Sequence, residues 1–291
     1  MHSSSQRVLR AVAAWLVVAI FAFPIWYWFT IAFRVEREIF ELPPLIFDFT
    51  FSGKSFEEVF GISFGGDSGT RGPLAGGGNF YMLPRLWDSI VIAVCSTALA
   101  VSVATLASYA LSRMRFAGQH HFVFWVLSTR MMPPVAVAIP MFFIYKQFGL
   151  LDTYTGVILV HALMNLPLAV LLLKSFFDDI PTEIDEAALI DGASRWLIFR
   201  RIVMPMALGG IAATAVLCFI FSWTEFLFVL TLTQTGLKTV PVVSSTFVTS
   251  TGTAWGKMAA LGVGAMVPAF IFILLVQKNL VRGLTLGSLK Q

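Results

Sequence analysis

Six stretches of this chain are each long enough and apolar enough to cross a bilayer, and nothing else in the sequence restricts the fold so tightly. A spanning helix needs about 20 predominantly apolar residues, because it rises about 1.5 Å per residue against about 30 Å of hydrocarbon. The runs lie at residues 9 to 31, 86 to 112, 120 to 147, 152 to 173, 205 to 230 and 256 to 277. Of the 291 residues, 57% are hydrophobic and 12% are charged, whereas soluble domains carry roughly 25% charge. The excess must be solvated by lipid or by other apolar helices, so the expected fold class is an all-α integral membrane protein of about six transmembrane helices.

The polar remainder sets the expected organisation. Residues 1–31 read as an N-terminal tail and first helix, 32–85 as an extracytoplasmic Gly-rich loop, 86–280 as a core five-helix domain that includes a loop at 175–205, and 281–291 as a cytoplasmic tail. Arg7 and Arg10 precede the first run as in a signal peptide, but its core from Ala11 to Ile31 is too long for one and lacks a small-residue cleavage site, so it reads as a retained helix. With both termini inside, the four cytoplasmic segments hold eleven Lys and Arg, and the opposite side holds eight spread over longer segments. The tracts Gly61 to Gly72 and Gly76 to Gly78 lose much entropy on ordering and predict a partly ordered surface loop.

Several chemistries are excluded. The net charge of +4 is scattered at the ends of apolar runs and forms no nucleic-acid-binding stripe. Cys95 and Cys218 sit inside apolar runs without CxxC spacing, and His2, His120, His121 and His161 form no ligand cluster, so no disulfide or metal is expected. No HExxH or GxSxG pattern occurs. Gly53-Lys54-Ser55 lacks the upstream glycine of a phosphate-binding loop, since position 48 is Asp48. The chain is expected to be a non-enzyme with no cofactor of its own, so energy must enter from another polypeptide or from an ion gradient.

The informative segment runs from Ser175 to Pro205. Pro181 and Thr182 can start a helix, Asp185 stands three residues after Thr182 as an approximate capping box, and acidic residues cluster in the first turn. Gly192 permits a tight turn, Ser194 can cap a second helix, and Trp196, Phe199 and Val203 recur on one side of it. Residues alone leave two readings open: a rigid elbow that passes a partner's motion into the membrane, or an interfacial helix lying on lipid beside Arg200 and Arg201.

Within this segment Glu186-Ala187-Ala188, Asp191-Gly192-Ala193 and Pro205 resemble the EAA loop of binding-protein-dependent ABC importer permeases. Asp88 to Thr97, Phe221-Ser-Trp-Thr-Glu-Phe-Leu-Phe228, Trp255-Gly-Lys-Met258 and the ending Val281 to Lys290 are similar to the MalG-like branch that carries sugars and polyols, with Asp88 and Thr224 standing where Asn is usual. The resemblance implies a type I (MetI-like) permease fold with a cytoplasmic helix-turn-helix. It implies coupling to an ATPase through Glu186, Ala187 and Gly192, with Asp191 capping the second helix. It further implies a second permease, an ATPase dimer that binds ATP and Mg, an extracytoplasmic solute-binding protein, and a sugar or polyol as solute. The alternatives are an ion-gradient-driven secondary transporter, which leaves the Glu186 to Pro205 element unexplained, and a non-transporting scaffold subunit.

Polar groups inside the apolar runs are the pathway candidates. Arg130 precedes Met131-Met132-Pro133-Pro134, and two adjacent prolines are expected to kink or open the third run. An intramembrane Arg costs about 2.5–3.5 kcal/mol unless paired or wet; Glu225 in the fifth run is its candidate partner, and a structural ion pair or a snorkelling side chain is the other reading of Arg130. Asn165 and Pro167 interrupt the fourth run, with His161 one turn earlier on the same side. Asn165 is the preferred pathway residue, the other reading being a helix-to-helix hydrogen bond. Trp223 and Phe226 line the outer part of the channel, or are interfacial-belt or core aromatics.

Overall fold

A computed structural model describes residues 4–61, 82–250 and 252–287, with side chains described over 8–61, 82–250 and 252–277. The Gly-rich tracts beyond Gly61 therefore lie outside the described residues. Helices dominate: α1 (Ser4–Ala32), α2 (Glu36–Ile39), α3 (Lys54–Phe60), α4 (Met82–Arg113), α5 (Gln119–Arg130), α6 (Pro134–Gln147) and α7 (Tyr154–Asp178) come first. There follow α8 (Thr182–Ile190), α9 (Arg195–Ile198), a π-helical turn (Phe199–Val203), α10 (Met204–Met206), α11 (Leu208–Trp223), α12 (Leu227–Leu232) and α13 (Val240–Ser245). A two-stranded antiparallel hairpin, β1 (Val248–Thr249) and β2 (Gly252–Thr253), precedes α14 (Trp255–Gly287).

Four helices are long and apolar enough to cross a membrane unbroken, within α1, α4, α7 and α14, and two bent pairs bring the total to six if each counts as one span. Of the two expectations for the third run, kinked or opened, the helix is opened. Pro133 is extended, Pro134 opens α6, and α5 and α6 meet at 94°. The fifth run does not extend unbroken to residue 230: α11 stops at Trp223 and α12 restarts at Leu227, after a 73° bend at Ala207 where α10 gives way to α11. Each break supplies backbone groups that must find partners in protein or water.

Two units divide the chain. In the first, Met1–Pro84 with Val243–Met266, Phe33 stacks on Phe51 and Phe56, and Phe56 on Phe60, with centroids 4.6–5.9 Å apart. Lys257 pairs with Glu58 at 2.9 Å. Close approach there depends on Gly264, where a Cβ would meet the Phe60 ring at 2.3 Å.

In the second unit, Arg85–Val242 with Val267–Gln291, α7 is the central helix and packs against α5, α11 and α12. Thr153 caps it by accepting from the Gly156 N–H at 3.1 Å. Gly210 lets α11 lie on α7, since a Cβ there would meet Phe176 at 2.3 Å. The largest buried cluster joins Tyr109 of α4, Leu173 and Phe177 of α7, and Ile198, Phe199 and Val203 at the end of the elbow. The Ser175 to Pro205 segment is therefore seated on a hydrophobic core, which argues against a helix that merely floats on lipid.

Candidate functional site

The hinge between α5 and α6, the middle of α7 and the gap between α11 and α12 enclose a cavity of about 770 Å³ within the second unit. Three of the four expected pathway residues, Arg130, Asn165 and Glu225, line it, and so do Phe226 and Thr224. Trp223 is not among the lining residues and instead stacks on Phe219 at 5.4 Å. The breaks create this space. An unbroken helix would satisfy its own backbone and fill the gap, whereas the prolines of the third run turn the chain away and leave polar side chains facing a hollow.

The expected pairing of Arg130 with Glu225 does not form. Arg130 donates to the Met164 carbonyl at 2.8 Å and lies over the Phe221 ring at 5.0 Å. Glu225 faces inward, and its two oxygens accept the backbone N–H groups of Phe228 at 2.8 Å and Val229 at 3.2 Å, so it caps α12 across the break. Its ionisable neighbour is His161, whose Nε2 stands 3.3 Å from Oε2. That contact is within ion-pair reach but poorly aligned, and Nε2 has no hydrogen bond of good geometry. On its other side the His161 ring meets Ser222 Oγ at 2.7 Å, and Ser222 meets Ser96 Oγ of α4 at 2.9 Å. A buried polar chain thus runs from α4 through Ser96, Ser222 and His161 to Glu225 at the cavity wall.

Asn165 is buried one turn after His161, lines the cavity, and donates to the Cys218 carbonyl at 3.2 Å, a helix-to-helix bond. The two positions that depart from the resemblance separate here. Thr224 lines the cavity and turns its hydroxyl to the Ile220 carbonyl at 2.8 Å. Asp88 lies elsewhere, bonded to Arg85 at 3.1 Å and accepting from the Tyr154 hydroxyl at 2.5 Å. Near it, Asp152 accepts the backbone N–H groups of Gly236 and Leu237, both at 2.9 Å. Burial works against its ionisation, but these and neighbouring amides outweigh that and hold the carboxyl below its ordinary value.

The elbow is the second candidate surface. Glu186, Ala187, Asp191 and Gly192 are all exposed, and the exposed apolar residues Leu189, Ile190 and Trp196 stand beside them. Gly192 has φ of +83° and donates to the Leu189 carbonyl at 3.0 Å, which turns the chain tightly. Ser194 caps α9 by accepting from the Leu197 N–H at 3.3 Å. Asp191 does not serve that role and is instead the C-terminal cap residue of α8. Of the three residues expected on one side of the second helix, Phe199 and Val203 are buried and Trp196 is not.

Asp185 does not complete a capping box, and no side chain caps α8. Its carboxylate accepts from Arg113 Nε at 2.6 Å, 72 residues away in sequence, and the same guanidinium donates from Nη2 to the Ile180 carbonyl at 2.8 Å. Both side chains are almost fully buried. In the sequence Arg113 is one of eleven inside positive charges, and only a pairing between distant segments marks it. Among the described residues, no three His, Cys, Asp or Glu side chains converge as a metal site.

Residues 100–285 match the family described as "Binding-protein-dependent transport system inner membrane component". Along almost its whole length the chain is similar to "Probable ABC transporter permease protein y4oR" of Sinorhizobium fredii, at 32% identity over 290 residues, covering 99% of this chain and 98% of that one. It is also similar to "Trehalose transport system permease protein SugB" of Mycobacterium tuberculosis, at 36% identity over 208 residues, covering 70% of this chain and 76% of that one. In fold it resembles a chain in the crystal structure of a bacterial ABC transporter involved in the import of the acidic polysaccharide alginate, with a TM-score of 0.70 at 21% identity, covering 96% of this chain and 98% of that one.

Proposed function

We propose a solute and a set of partners for a chain that belongs to the binding-protein-dependent transport system inner membrane components. It is a multi-pass inner-membrane permease subunit of an ABC-type importer, and the ATPase is a separate component. The solute is a sugar or polyol, and the chain forms half of the translocation pathway beside a second, related permease. A solute-binding protein delivers the solute from outside, and an ATPase dimer docks on the elbow from the cytoplasm, where both termini also lie.

One observation carries this reading. The elbow presents Glu186, Ala187 and Gly192 on an exposed face, while its underside is buried against α4 and α7. Such an element transmits force, because packed interiors move as units and do not deform continuously. Glu186 anchors the partner, Ala187 permits close docking and Gly192 makes the turn. The sugar assignment is supported by the trehalose permease among the relatives and by the cavity, which sets amide, hydroxyl and guanidinium groups among apolar and aromatic side chains. Residues 1–31, 32–85, 86–280 and 281–291 serve as first span, outer loop, transport core and tail.

The test is reconstitution of the complete complex in proteoliposomes. ATP-dependent uptake of labelled trehalose, maltose, glucose, mannitol and sorbitol is measured with the cognate binding protein present. Uptake of at least one of them is expected. Uptake by the permease alone, without the ATPase, would overturn the reading.

A further inference from the structure

We propose that Arg113 is a positioning residue of the transport cycle: the joint through which displacement of the elbow enters α4 and, along α4, reaches the cavity wall. The inference rests on the functional reading above, in which a partner ATPase moves the elbow.

Arg113 is the last residue of α4, and it holds two separate parts of the chain at once. Its Nε binds Asp185 of α8 at 2.6 Å, and its Nη2 binds the carbonyl of Ile180, in the link between α7 and α8, at 2.8 Å. The planar guanidinium fixes both distances in one rigid fork, which a lysine could not do. One turn earlier, Tyr109 packs on Phe177 and Phe199, with centroids 6.0 and 4.9 Å away. Both limbs of the elbow therefore bear on one end of one helix.

Stability does not account for the pair. Burying two charges costs desolvation that their attraction only roughly offsets, and apolar residues of similar volume often serve as well. Asp185 moreover keeps its second oxygen, Oδ1, buried without a hydrogen-bond donor, a cost that a purely structural pair leaves unexplained. A charged, bidirectional link supplies what an apolar contact does not: it resists pulling as well as pushing.

The middle of the same helix reaches the site. Ser96 lies 17 residues before Arg113 in sequence, about 26 Å along a continuous helix. There it bonds Ser222, and Ser222 bonds His161 beside Glu225 at the cavity. A shift of α4 along its axis would displace the wall that faces the solute.

The experiment uses the complete reconstituted complex and a sugar that the wild type takes up, and it reads solute moved per ATP hydrolysed alongside co-purification of the ATPase. Arg113→Met and Asp185→Asn are expected to keep the ATPase bound and hydrolysing while solute moved per ATP falls about tenfold, with Arg113→Lys restoring part of it. The double variant Arg113→Met/Asp185→Leu should fall no further than the worse single variant. An unchanged ratio in variants that assemble, or losses that multiply in the double, would overturn the proposal. If the singles fail to assemble, the double decides, because it leaves no unpaired buried charge. Assembly with lost coupling supports the joint, whereas normal coupling, or failure to assemble, assigns the pair to folding alone. Absence of any ATP-driven uptake by the wild type would instead refute the functional reading, and that is known before a variant is made.

Discussion

His161 Nε2 stands 3.3 Å from Glu225 Oε2, joining the middle of α7 to the break between α11 and α12. Because Glu225 also holds two N–H groups of α12, the imidazole buttresses the residue that keeps the broken helix in place. His161→Phe should keep insertion and ATPase association but lose about 1–3 kcal/mol of stability as the His161 contacts to Ser222 and Glu225 are removed. A fall of several degrees in the detergent melting temperature, with uptake reduced, checks this. Unchanged melting would remove the buttress.

Gly192 tests the turn. No atom lies within 4 Å of a Cβ built there, so steric room is not the issue, but φ is +83°. Gly192→Val should cost about 1–2 kcal/mol of local strain, and Gly192→Pro should do worse by also removing the N–H that donates to Leu189. Gly192→Asn, which tolerates left-handed backbone, should transport nearly as the wild type does. Pull-down of the ATPase and uptake assays together distinguish a distorted docking face from a misfolded chain.

The Asp152 carboxylate offers a pH readout. Its folded value is depressed, so its contribution to stability is present above the unfolded value, near 3.8, and is lost as pH falls through the lower folded value. Melting temperature should drop over that acid window in the wild type and much less in Asp152→Asn, which already lacks the charge. Parallel curves would sink the assignment.

Thr224 and Asp88 should behave differently. Thr224→Asn replaces a hydroxyl and a methyl on the cavity wall with an amide, so its effect should appear as a changed ranking in a sugar and polyol panel. Asp88→Asn weakens the contacts to Arg85 and Tyr154 and should lower thermal stability by about 1–3 kcal/mol while leaving that ranking alone.

Much of this was legible in the residues, for reasons that can be stated. Run length gave the spans, because lipid demands continuous hydropathy. Gly192 and Ser194 gave the turn and cap, because both act on their own neighbours. What could not be read were partners distant in sequence. Asp185 looked like a cap for its own helix until Arg113 took it, and Glu225 looked like the partner of Arg130 until His161, Phe228 and Val229 surrounded it. Trp223 could face either way, since a lone aromatic on a uniformly apolar helix carries no periodic signal.

The span within α1 has a consequence of a different kind. None of its most apolar window, within Val8–Ala32, is buried by the rest of the chain, so within this subunit those side chains answer to the bilayer as a sum and not as a shape. Leu16, Val17 and Phe21 could trade places with little change in insertion energy, whereas the same shuffle in α7, where Val160, Leu173 and Phe177 are enclosed, would wreck a fitted surface. Two stretches of near-identical hydropathy thus carry very different amounts of information.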